Sequence, residues 1–140
     1  MMRREERLEA IGVADGDALI ALADEVLDTF DVEVTRGPTV GLLMVRVEEP
    51  VERLPFNFTE VTVSEAEVGA GSHRGYAMLM GKHPERALAA AVLDAAVEAE
   101  HVLSPRIIEF LAAARDTEAD AWAARWSRIA PTRVRFEDMT

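Results

Sequence analysis

Val32-Glu33-Val34-Thr35-Arg36-Gly37-Pro38-Thr39-Val40-Gly41-Leu42-Leu43-Met44-Val45-Arg46-Val47 is the stretch on which the fold turns. Its first five residues alternate apolar and polar, the period of a strand with one face buried. Gly37-Pro38 interrupts the alternation, and a long apolar run follows from Val40 to Val47. Two strands around a Gly-Pro turn are the simplest reading. The second run is apolar on both alternating faces. It therefore belongs at the centre of a sheet, or its outer face is covered by helices or by a partner chain.

On the N-terminal side, Leu19, Ile20, Leu22, Ala23, Val26, Leu27 and Phe30 recur in steps of three and four, which predicts an amphipathic helix over 16–30 with Asp15 as its N-cap. A shorter helical turn from Arg4 to Ile11 is expected to end at Gly12. On the C-terminal side, Glu48-Glu49-Pro50-Val51-Glu52-Arg53-Leu54-Pro55 reads as a loop. A third strand is expected over 60–68. Val61 and Val63 share one of its faces and Ala66 and Val68 the other, a switch that suggests a bulge or bend near Ser64-Glu65. Gly69-Ala70-Gly71-Ser72 is a turn, and Gly75 to Met80 a fourth strand.

Beyond it the period is helical again. Pro84 opens a helix carried by small and apolar residues as far as Val102, and Ser104-Pro105 starts another with Ile107, Ile108 and Leu111 inward. Thr117-Glu118-Ala119-Asp120 reads as the cap of a further helix that buries Trp122, Trp126 and Ile129. Pro131 ends that helix, and Thr132 to Phe136 alternates like a short terminal strand. The sum is one α+β domain over 1–140, with an antiparallel sheet of four to five strands and helices mainly on one face.

Composition narrows the function. The chain has 140 residues, 15 Lys+Arg against 26 Asp+Glu, a net charge of −11 and no cysteine. A thiolate metal site, a disulfide framework and a cysteine nucleophile are excluded together. An average field that repels polyanions argues against nucleic acid and anionic membranes as partners. No apolar run approaches a membrane span, and the charged start is not the apolar segment of a signal peptide, so a soluble cytoplasmic protein is expected.

Candidate chemistry is sparse. His73, His83 and His101 lack the spacing of a helical metal pair, and no metal site is expected. Met80-Gly81-Lys82-His83-Pro84 puts the only lysine and a histidine at a strand-to-helix junction, where Lys82 and His83 fit either an anion contact or plain turn chemistry. Arg36 and Pro38 at the Gly-Pro turn, and Phe56-Asn57-Phe58 after the acidic loop, are candidate partner contacts. No nucleophile–base pattern and no paired carboxylates in apolar surroundings stand out, so no catalytic residue is assigned.

Five stretches in order carry a resemblance: Arg36-Gly37-Pro38 with Val40 to Arg46; Pro55-Phe56-Asn57-Phe58 with Glu60-Val61-Thr62-Val63; Gly75-Tyr76 with Gly81-Lys82; Ala87 through Asp94-Ala95; and Thr132-Arg133-Val134 with Phe136 and Met139. Together they resemble the G subunit of the bacterial carbon-phosphorus lyase system, the PhnG family of phosphonate metabolism. The resemblance implies a small cytoplasmic subunit of a core complex with H, I and J subunits. That complex displaces adenine from MgATP with an alkylphosphonate, giving a ribose 1-phosphonate 5-triphosphate. It also implies that the chemistry sits on the large I subunit, with the G subunit packed against it. On this reading MgATP is a substrate of the complex and this chain alone holds no cofactor. Where the family is rich in glycine before Pro55, and basic at its end, this chain has acids, which argues against contact with the triphosphate from either place. Two other classes stay open: a stand-alone anion-binding enzyme using Arg36, Asn57 and Lys82, and a homodimerisation module.

Overall fold

The stretch 32–47 forms one strand, not two. In the computed structural model, which describes residues 2–134, β1 runs unbroken from Glu33 to Glu48. It pairs antiparallel with β2, Pro55–Ala70, which pairs in turn with β3, His73–Met80. Pairing of β1 with β2 slips at Thr35 and again across Gly37-Pro38, a cis peptide. Gly37 has φ +72°, and a Cβ there would lie 2.7 Å from the Glu65 carbonyl oxygen and 2.8 Å from the Thr39 nitrogen. Only glycine fits so close an approach. The Gly-Pro signal is thus a bulge that kinks a strand without reversing it. Among the described residues the sheet has three strands in the order β1-β2-β3, fewer than the four to five expected. The doubly apolar run lies on an edge strand, not in the centre.

The central strand β2 is regular where a bulge was expected. Val63 to Ala70 stay in register with β3 through Ser64-Glu65, and Ser64, Ala66, Val68 and Ala70 are buried in alternation. The apparent change of face arises because Val63, on the other side, is also buried. The irregularity of β2 falls at Phe58, an extra residue between Asn57 opposite Arg46 and Thr59 opposite Val45.

Among the described residues four α-helices complete the fold: α1 Arg4–Val13, α2 Gly16–Leu27, α3 Pro84–Glu98 and α4 Ser104–Ile129. The helix α1 passes through Gly12 to Val13 instead of stopping there. Asp15 caps α2 as expected, its Oδ2 accepting the Ala18 N–H at 3.0 Å. Opened by Pro84, α3 packs on all three strands. Its buried face is mostly alanine, and it approaches β3 so closely that a Cβ on Gly75 would lie 2.0 Å from the Ala91 carbonyl oxygen. It ends at Glu98, four residues short of the expectation, which leaves Val102 outside the core at 80% exposure.

The two helices expected after Ser104 are one. Thr117 does not cap; its hydroxyl donates back to the Ala113 carbonyl at 3.0 Å within the continuous α4. A mid-helix threonine can satisfy its hydroxyl in this way, and no glycine or proline breaks the run. Ile107 and Leu111 are buried as expected, whereas Trp122, Trp126 and Ile129 are 57%, 56% and 48% exposed. At Ala130–Thr132 the chain forms a 3-10 turn in place of the start of a terminal strand, and Arg133 and Val134 are unpaired with the sheet. The remainder of that expected strand lies outside the described residues.

Candidate functional site

Pairing of β2 with β3 stops at Val63 opposite Met80. From Leu42 opposite Thr62 outward, β1 and β2 pair only with each other. This two-stranded arm extends eight residues of β2 past the three-stranded sheet, roughly 26 Å at the rise of a strand. Leu42 and Met44 point to one face and Leu43 to the other, and all three are exposed, Leu42 at 68%. Phe56 and Phe58 stand edge to face near the tip, their centroids 6.4 Å apart. The bulge at Phe58 leaves that ring 65% exposed. The tip itself is organised by Glu49, whose carboxylate accepts the backbone N–H groups of Val51 at 2.8 Å, Glu52 at 2.6 Å and Leu54 at 3.3 Å. Those bonds, that from Val51 first, hold its pKa below the usual carboxylate range.

Arg36 lies at the base of the arm. Its side chain is 66% exposed and 3.7 Å from Glu65 Oε1, while Glu65 Oε2 accepts the Tyr76 hydroxyl at 2.8 Å. Burial, together with that bond to a carboxylate, pushes the Tyr76 hydroxyl up to about 12, against the opposing pull of Arg36. Pro38 forms the kink beside it.

At the strand-to-helix junction, the fully buried Ser64 hydroxyl donates to the Gly81 carbonyl at 2.7 Å and accepts the His83 N–H at 2.7 Å. This clip fixes the path of Gly81-Lys82-His83 into α3. The His83 side chain makes no capping hydrogen bond. An open hollow brings Lys82, His83 and Arg86 beside Asp17 and Glu85, so the cations there are offset by two carboxylates.

The candidates do not converge. Arg36 is opposite Glu67, whereas the Gly81 N–H donates to the Thr62 carbonyl at 2.7 Å and Asn57 is opposite Arg46. Successive sites are thus five residues apart along β2, roughly 16 Å each at strand rise. The stand-alone enzyme that required Arg36, Asn57 and Lys82 in one pocket is not the arrangement found. Among the described residues no group of three His, Cys, Asp or Glu side chains is placed to hold a metal ion, and no helix is long and apolar enough to cross a membrane.

A buried ionic cluster has no counterpart in the sequence reading. Asp94, fully buried in α3, accepts Arg4 Nη2 at 2.7 Å, Arg7 Nε at 2.8 Å and the Tyr76 N–H at 3.0 Å. Arg7 is only 2% exposed and also pairs with Glu98. The cluster ties α1 to α3 and β3. Its signal is present in the sequence, since Asp94 is the one charged residue in the apolar run from Ala87 to Val97.

An alanine-rich core, a two-stranded arm and a helix end that is exposed among the described residues define a small α+β domain whose distinctive surfaces project from the core. The chain belongs to the PhnG family, whose model, described as phosphonate metabolism protein PhnG, matches residues 2–140. It is 34% identical over 139 residues to a protein of Rhizobium meliloti (strain 1021), the alpha-D-ribose 1-methylphosphonate 5-triphosphate synthase subunit PhnG. That match covers 98% of this chain and 88% of the relative.

Proposed function

We propose that this chain is an accessory subunit of a cytoplasmic synthase complex that transfers the ribose triphosphate of MgATP to an alkylphosphonate with loss of adenine, and that its β1–β2 arm docks on the large I-type subunit. The observation that carries this reading is the arm: a ribbon apolar on both faces that nothing among the described residues covers. Two-stranded ribbons are marginally stable in water, and exposed apolar strands of this length are hazards unless a partner covers them. Phe56 and Phe58 supply the aromatic anchors, Asn57 a polar contact between them, and Arg36 with Pro38 the base of the same surface. The subunit positions its partner, and MgATP is held elsewhere. An overall charge of −11 suits that division, because both substrates are anions.

Co-expression with the other subunits of the complex tests the reading. The wild-type chain co-purifies with the large subunit, and Phe58→Asp weakens that association at least tenfold while leaving the far-ultraviolet circular dichroism of the free chain unchanged. A wild-type chain that does not bind the large subunit at micromolar concentrations refutes the proposal.

A further inference from the structure

Among the described residues, the last three turns of α4 pack against no other α-helix and no strand. Every residue from Ala119 to Ile129 is exposed, and Trp122, Trp126 and Ile129 recur at i, i+4 and i+7, one apolar stripe on one helix face. Arg125 lies over the Trp122 ring at 4.8 Å. The stretch 121–134 carries Arg125, Arg128 and Arg133 and no carboxylate, on a chain whose net charge is −11. Elsewhere on the same molecule is an open apolar groove of about 390 Å³ between α2, α3 and the start of β1. Ile20, Leu27, Val34 and Leu88 line it and Asp24 and Glu85 flank it, with Leu27 43% and Val34 47% exposed. The helix end and the groove complement each other twice, aromatic stripe to apolar floor and arginines to carboxylates. Within one chain α4 packs on α1 and α3.

We propose that the occupant of this groove is α4 of a second copy, so that two chains exchange their projecting helices in a reciprocal dimer. In that dimer Trp122 and Trp126 fill the groove, and Arg125 and Arg128 face Asp24 and Glu85. Two identical contacts form at once, as two-fold symmetry requires. Self-association of a chain with this much like charge is opposed at long range. The local pairing of a basic helix end with an acidic rim selects this contact over others. The arm is not used, so the dimer stands or falls independently of the docking proposed above.

The chain's own fluorescence reports the contact, because its two tryptophans are Trp122 and Trp126. Sedimentation velocity and tryptophan emission are followed over the micromolar range. The expected result is a dimer whose formation shifts emission to the blue and shields both rings from acrylamide. Trp126→Glu and, separately, Leu27→Glu each weaken the dimer at least tenfold, whereas Phe58→Asp leaves it unchanged. Mixing the Trp126→Glu and Leu27→Glu chains restores a heterodimer through one intact helix–groove contact, a rescue that misfolded variants could not give. A wild-type chain that stays monomeric, a Trp126→Glu chain that dimerises as well as wild type, or shielding that appears only when another subunit is added overturns the proposal.

Discussion

At Asp94, three donors converge on one carboxylate that no water reaches, and two of them are arginines from α1. Removing one partner of a buried ion pair leaves the other charge stranded. Asp94→Ala is therefore expected to lower the stability of the free chain by about 3 kcal/mol, read from urea unfolding, with Glu98 retaining part of the hold on Arg7. A lone acid in an alanine-rich helix is legible in the sequence. Its partners are not, because Arg4 and Arg7 lie 90 and 87 residues away and only the packing of α1 brings them there. Tyr76 gives a second test, since it is the only tyrosine. Its hydroxyl, pushed up to about 12 in the fold, is expected to ionise near 10 once unfolded. A raised folded-state pKa contributes stability that is full below 10 and is lost as the pH rises from there to 12. Absorbance at alkaline pH therefore shows tyrosinate forming well above the ordinary value, and Tyr76→Phe removes that part of the alkaline loss of stability.

Single elements show where local sequence rules reach and where they stop. Asp15 and Pro84 start α2 and α3 where their chemistry predicts, because capping is decided within one turn. Gly37-Pro38 and Thr117 are misleading for the opposite reason. Each has two local solutions, turn or bulge and cap or back-bonded helix, and the choice is made by β2 beside one and by the unbroken helix around the other. The stripe at Trp122, Trp126 and Ile129 has the right period for a buried face, yet period alone does not say which molecule buries it. The contact between α3 and β3 makes a sharper prediction. Gly75→Ala forces a methyl into the Ala91 carbonyl, and overpacking of this kind costs about 2 to 3 kcal/mol. Thermal unfolding reads the loss, and a substitution at Gly41, where a Cβ meets nothing within 4 Å, serves as the control.

Across the whole molecule, stability is unevenly distributed, and the distribution follows from which strands α3 covers. The sheet from Val63 to Ala70 lies between two strands and beneath a helix, so its amides open only when the fold opens. The arm from Leu42 to Glu48 and from Pro55 to Thr62 has one ladder, exposed faces and a tip held mainly by the Glu49 carboxylate. Its amides are expected to exchange with deuterium at least a hundredfold faster than those of Val63 to Ala70 in the free chain, since a lone two-stranded ribbon is marginal in water. The Val51, Glu52 and Leu54 amides, bonded to Glu49, are expected to exchange more slowly than the rest of the tip. That protection falls as the pH drops through the depressed pKa of Glu49, because a protonated carboxyl accepts poorly. On binding the large subunit, the arm gains protection while the core strands change little. An arm already as protected as the core in the isolated chain would mean that its faces need no cover, and the apolar ribbon would lose its meaning as a docking element.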